Sequence, residues 1–220
     1  PSSRVVILSF NKITPARPTF YNLGVLLQEM VERTAFDGVI ELYLNDLQSG
    51  QEIHFAYDGG QLVAPDIAFT AASTMKIPIM VSTFRRVGEP TPPEVKDMLT
   101  SMIERSENDP ADRLMEEVMD KNLGPLDVTE DLQVMGLKNT FLAGYFYPGA
   151  PLLSRIQTPA NQRSDVVAGP DPYNQTTAVE MSLLLEDIYR CAENSGGTLA
   201  AVFPNEISQN ECQAMIDYLV

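Results

Sequence analysis

Phe69-Thr-Ala-Ala-Ser73-Thr-Met-Lys76-Ile-Pro-Ile-Met80 is the stretch from which the fold is read. A serine and a lysine three positions apart, at the opening of an apolar run, fall on one face of a helix. A neutral amine there can take the proton of the Ser73 hydroxyl, and the first helical turn offers backbone N–H groups to a developing oxyanion. The same spacing occurs at Ser9-Phe-Asn-Lys12. That copy runs into Thr14-Pro15-Ala16-Arg17-Pro18, which cannot be a helix interior, whereas Ser73 has an apolar, small-residue approach and an apolar continuation. Taken alone, Ser73 and Lys76 also fit a capped amphipathic helix with no chemistry.

Outward from that stretch, 220 residues with 44% apolar content can bury a sizeable core in one large domain. The net charge of −15 and the absence of any run of lysines or arginines argue against a surface that tracks phosphates, so no nucleic-acid partner is expected. A solvated acidic surface accounts for the charge. The single histidine, His54, lies in a strand-like segment, so a serine nucleophile in this chain is expected to use lysine as its base in place of a Ser-His-Asp arrangement. Cys191 and Cys212 are too few for a zinc cage. Two buried thiols is the default expectation for them, with a disulfide as the alternative outside the cytoplasm. No apolar run approaches the length of a membrane span.

Residues 1–20, with Val5-Val-Ile-Leu8 and a proline-broken stretch, read as a tail or edge strand, and 21–220 as a single domain. Leu23, Leu26, Leu27, Met30 and Val31 form a helical stripe over about 21–33. Val39 to Leu44 and Ile53 to Tyr57 flank Asn45-Asp-Leu-Gln-Ser-Gly50, a hairpin signal. Helices are expected over about 73–86, 93–105, 109–120, 177–193 and 208–219. Tyr145 to Tyr173 is rich in Pro, Gly, Asn and Asp and reads as a long functional loop.

A second constellation, Met102-Ile-Glu-Arg-Ser106-Glu-Asn108-Asp-Pro-Ala111-Asp-Arg-Leu114, places a serine and an asparagine two apart at a helix junction, where both can point into one cleft. Helix capping explains such residues equally well, as it does for Ser208-Gln-Asn210. In order, Ser73-Thr-Met-Lys76, the Ser106-Glu-Asn108 segment, Gly136-Leu-Lys-Asn-Thr140 and Thr176-Thr-Ala-Val-Glu-Met181-Ser-Leu-Leu-Leu185 resemble the class A serine β-lactamases and their penicillin-binding relatives. The resemblance runs from about Phe20 to the last residue. It implies an α+β, β-lactamase/transpeptidase-like fold: mostly the helical lobe plus an N-terminal β-hairpin, without the C-terminal strands.

By that resemblance Ser73 is the acylated nucleophile, Lys76 assists proton removal, Ser106 passes a proton to the leaving nitrogen and Asn108 binds the substrate's amide side chain. The implied substrate is a small molecule, a β-lactam or a cell-wall peptide, met outside the cytoplasm, with no cofactor and no metal. The alternatives are a D-Ala-D-Ala peptidase or transpeptidase, and a catalytically silent scaffold or binding domain on the same fold.

Three departures qualify the resemblance. Only 33 positions separate Ser73 from Ser106, fewer than the family pattern allows, so one wall of the cleft is expected to be altered. The loop that in the family carries a water-activating glutamate matches Pro159 to Asp165, where Asn161 and Asp165 are the candidates; no glutamate occurs between Gly136 and Thr176. The family's Lys-Thr-Gly motif should follow the segment Ser208 to Leu219, yet the sequence stops at Val220, so the chain is expected to be a piece of a longer protein whose open sheet edge invites pairing with a second copy.

Overall fold

The computed structural model describes residues 19–166 and 168–220. The chain divides into two units, Pro1–Phe36 and Asp37–Val220. The described part of the first is one helix, α1 (Phe20–Thr34), as the apolar stripe predicts. Thr19 caps it, its hydroxyl accepting the Asn22 N–H at 3.2 Å, and Ala35 ends it in the left-handed region at φ 48°. The tail or edge strand expected over Val5 to Leu8 lies outside the described residues.

The second unit opens with the expected hairpin. β1 (Val39–Asp46) pairs antiparallel with β2 (Gln51–Asp58), and a short β3 (Gln61–Val63) adds to the far side of β2. The turn is locked by Asp46, which accepts the Gln48 N–H at 3.1 Å and the Ser49 hydroxyl at 2.5 Å. The outer edge of β1 has no strand partner among the described residues. Glu41 on β1 accepts the N–H groups of Asp66 and Ile67 at 2.9 and 2.8 Å, so it braces the sheet against the following loop, and its Oε1 lies 2.7 Å from Nε2 of the lone histidine, His54, on β2.

A second small sheet forms from three short strands far apart in sequence. β4 (Phe69–Thr70) and β5 (Phe141–Leu142) flank β6 (Asn174–Thr176), all antiparallel. Between β4 and β5 come a 3₁₀ turn (Ala72–Met75), α2 (Lys76–Val87), α3 (Pro93–Glu104), α4 (Asn108–Val118) and α5 (Gly124–Val134). After β6 follow α6 (Ala178–Asn194), α7 (Gly197–Val202) and α8 (Gln209–Leu219). α5 and α7 escape the periodicity: the first mixes polar and apolar residues around its circumference, and the second is six residues long. Ser208 is a helix cap, as expected, and closes a capping box with Glu211. No described helix is long and apolar enough to cross a membrane.

The core is built around α2. Met75, Ile79, Met80 and Phe84 pack against Met98, Leu99 and Met102 of α3, Leu114 and Met115 of α4, Leu132 of α5 and Ile188 of α6. Methionine supplies much of this contact; its unbranched, polarizable chain fills the gaps between helices that cross at different angles. α4 and α5 approach so closely that a Cβ on Gly124 would stand 2.5 Å from the Met115 carbonyl oxygen. Under the far end of α2, buried Asp131 is paired with both Arg85 and Arg86.

One expectation is corrected here. Cys191 of α6 and Cys212 of α8 are not free thiols; they form a disulfide, with Cα atoms 5.8 Å apart. Spacing in the sequence could not decide this, because the bridge depends on how closely the two helices pack and which faces they turn to each other.

Candidate functional site

Lys76 is the first residue of α2 and is only 2% exposed. The expected helix beginning at Ser73 starts instead with the 3₁₀ turn, so Ser73 sits in that turn and Lys76 at its end. Residues three apart eclipse one another in 3₁₀ geometry, and Lys76 Nζ lies 3.3 Å from Ser73 Oγ. Ser73 itself is exposed to solvent. The turn is fixed from outside by β6: Asn174 Oδ1 accepts the Ala72 N–H at 2.6 Å, holding Ala72 at φ 48°.

The Lys76 amine is otherwise surrounded by the second constellation. It donates to the Ser106 carbonyl oxygen at 2.7 Å and to Asn108 Oδ1 at 2.8 Å, and Ser106 Oγ is 3.3 Å away. Ser106 presents both its carbonyl and its hydroxyl because its backbone is left-handed, at φ 55°. For a serine this conformation carries strain of order 1 kcal/mol, which the surrounding contacts must hold. Asn108 opens α4, and Asp112 lies one turn further along the same helix.

The arrangement has a direct protonic consequence. A neutral amine has two N–H bonds and one lone pair. The two short contacts are to oxygens that can only accept, the Ser106 carbonyl and the Asn108 amide oxygen, so they take the two N–H bonds. The remaining neighbours are the Ser73 and Ser106 hydroxyls, which accept from the charged amine and would donate to the lone pair of a neutral one. Burial pushes the Lys76 amine below its ordinary pKa, and the negative charge of Asp112 partly opposes this.

The fifth neighbour was not predicted. The Phe146 ring centroid is 5.3 Å from Lys76 Nζ. Its backbone is pinned to α4, with the Phe146 N–H donating to Asp112 Oδ1 at 2.7 Å. Burial raises the Asp112 carboxyl above the usual range, while the N–H groups of Phe146 and Tyr147 oppose that shift. Gly144 is what lets the segment pass: a Cβ there would come within 2.6 Å of the Tyr173 ring. Tyr145 donates to the Lys121 carbonyl at 3.0 Å, and its own hydroxyl is pushed up to about 12, chiefly by burial.

The two loop candidates, Asn161 and Asp165, are not among the hydrogen-bond partners of Lys76. Asn161 serves a local turn, accepting the Thr158 N–H at 2.9 Å and donating to the Ile156 carbonyl at 3.1 Å. Asp165 is exposed and pairs with Arg163 at 2.6 Å, which draws its carboxyl below the usual range. It lines a cavity of about 520 Å³ together with Asp66, Asn139, Glu180 and Leu183. The aromatic run Tyr145-Phe-Tyr147 inside a Pro/Gly-rich loop, and Asp112 four residues after Asn108, were the available signals for the Phe146 contact.

A helical lobe built on a buried α2, a hairpin sheet, and a Ser-x-x-Lys turn facing a Ser-x-Asn junction define a β-lactamase/transpeptidase-like fold, and this chain has it. A family model described as the β-lactamase enzyme family matches residues 23–91, a span that includes Ser73 and Lys76. An ancestral (GNCA) class A β-lactamase superposes with a TM-score of 0.58 at 20% identity, over 90% of this chain and 70% of that one. The β-lactamase from Desulfarculus baarsii gives 0.55 at 16% identity, over 90% and 68% of the two chains. That from Sphaerobacter thermophilus gives 0.57 at 16%, over 90% and 68%. Comparison with curated protein sequences yields no match.

Proposed function

We propose that this protein forms an acyl-enzyme on Ser73 with β-lactams or related cell-wall peptides, with Lys76 as the base. The observation that carries this is the Lys76 amine, buried and within 3.3 Å of both the Ser73 and Ser106 hydroxyls. Proton removal by Lys76 lets Ser73 Oγ attack the carbonyl carbon. The proton returns through Ser106 to the leaving nitrogen, and Asn108 holds the substrate's amide. A silent scaffold would be favoured by a Lys76 locked to a carboxylate and out of reach of Ser73; here, among the described residues, its hydrogen-bond partners are two serines and an asparagine.

The penicillin-binding alternative, in which the ester persists, draws support from the lack of any glutamate between Gly136 and Thr176. The Cys191–Cys212 bridge supports an extracytoplasmic location, since such bonds persist in oxidising compartments. The test is intact mass after incubation with a penicillin: one added β-lactam mass on the protein and none on Ser73→Ala is expected. No added mass on the unaltered protein would overturn the proposal.

A further inference from the structure

We propose that Glu41, His54 and Asp66 bind a divalent transition-metal ion of the zinc type, and that the ion clamps the β1–β2 hairpin to the segment leading into β4. The site is separate from the acylation reading, since none of the three residues is a hydrogen-bond partner of Lys76. One donor atom from each lies within 4.8 Å of the donors of the other two. Glu41 on β1 pairs with Ala56 on β2, two positions beyond His54, so both side chains stand on one face of the sheet. Asp66 comes from the loop after β3, three positions before β4, and β4 leads into the turn that carries Ser73. An imidazole with two carboxylates suits zinc better than calcium or magnesium, which take all-oxygen shells.

The Glu41 side chain is fully buried and held in one orientation. Its Oε2 accepts the Ile67 N–H at 2.8 Å and its Oε1 the Asp66 N–H at 2.9 Å, which leaves the second lone pair of Oε1 toward His54 Nε2 at 2.7 Å. In a neutral imidazole the ring proton can sit on Nδ1, and the Nε2 lone pair is then free for a metal. Two donors on one tetrahedral zinc stand about 3.3 Å apart, so the ion enters between Nε2 and Oε1 once the ring withdraws by roughly 0.6 Å. The Asp66 carboxylate is exposed and has no hydrogen-bond partner among the described residues, so it is able to swing onto the ion, and water completes four ligands. Charge favours the same occupant. The cation acting on these groups is Arg163, which also feels Asp165 and is committed to it at 2.6 Å and to the Pro65 carbonyl at 2.6 Å. Three carboxylates against one guanidinium leave two negative charges, which a divalent ion cancels while relieving the repulsion between Glu41 and Asp66.

The sequence makes the test sharp. His54 is its single histidine and both cysteines are taken by the disulfide, so this chain has no other imidazole or thiolate to offer zinc. The experiment is titration of the unaltered protein, H54Q and D66N with zinc chloride, followed by calorimetry and by the NMR signals of the His54 ring. One zinc per chain is expected on the unaltered protein, with the ring signals moved and a Tm that rises with zinc and falls back on adding EDTA. H54Q should weaken binding at least about 100-fold and D66N at least about tenfold, since losing a residue that merely orients a metal ligand already costs about 10–100-fold. Asparagine tolerates the left-handed backbone of Asp66, at φ 65°, so D66N keeps the loop and, with the ring signals, decides the matter if H54Q does not fold. No zinc bound by the unaltered protein, zinc bound with the ring signals unmoved, or an unchanged affinity in D66N or folded H54Q would each overturn the proposal. The His54–Glu41 contact would then be a hydrogen bond and nothing more, and the acylation reading would stand or fall by its own test.

Discussion

Replacing both Cys191 and Cys212 by alanine should lower stability by an amount set by the loop they close. The bridge spans 21 positions, and loop-closure entropy for that length is about 11 cal/mol/K, or about 3.3 kcal/mol at 25 °C. Both residues are buried, at 1% and 0% exposure, so truncating two sulfurs adds a packing loss of about 1 kcal/mol at most for each. The expected total is about 3–5 kcal/mol, equivalent to a Tm lowered by roughly 7–15 °C in a domain of this size. The bridge ties α6 to α8, and α6 begins beside β6, which holds the Ser73 turn through Asn174. Urea unfolding followed by circular dichroism gives the free energy, and thermal melting the Tm. Each single replacement removes the whole bridge and should cost nearly as much as the pair. A loss under about 1 kcal/mol in the double variant would refute the loop-closure reasoning.

Two further outcomes follow from buried carboxylates. Asp131→Ala removes the partner of both Arg85 and Arg86 and should cost about 3 kcal/mol in urea unfolding, the low end for breaking a buried pair, because both guanidiniums retain some solvent access and Arg85 keeps Glu206. For Asp112, burial raises the folded-state carboxyl above its unfolded value, so ionisation opposes folding: the penalty is present at neutral pH and absent below the unfolded value. Asp112→Asn keeps an acceptor for the Phe146 N–H, so it should match or exceed the original stability at pH 7 by under ~1 kcal/mol. That advantage should shrink as pH falls through the carboxylate range. Denaturation at pH 7 and pH 4 measures it, and an advantage that grows in acid would contradict the assignment.

The linear pattern reached as far as elements whose signals are local. The stripe from Leu23 to Val31, the turn chemistry between β1 and β2, and the cap at Ser208 each express a preference satisfied within a few residues, and each forms where expected. Ser73 with Lys76, and Ser106 with Asn108, were also visible, because each pair is separated by fewer than four positions and sits at a helix start. That the two pairs meet was implied by the family resemblance and by nothing in the spacing of either motif. Lys76 and Ser106 are 30 positions apart, and only the packing of α2 against α4 brings the amine to the serine.

The same limit explains the loop. A stretch without periodicity carries no internal ruler, so nothing in it pointed to Phe146, which the contacts of Asp112 and Tyr173 bring near the amine. β4, β5 and β6 are two or three residues each and exist only because residues some 30 to 100 positions apart are pressed together. The sequence alone determined the helical elements other than α5 and α7, the hairpin and the chemical types of the two short motifs, since hydrophobic period and turn preference act over neighbouring residues. The tertiary structure decided which groups surround Lys76, whether the cysteines pair, and that an aromatic ring lies beside the Lys76 amine, because each depends on contacts made across the fold.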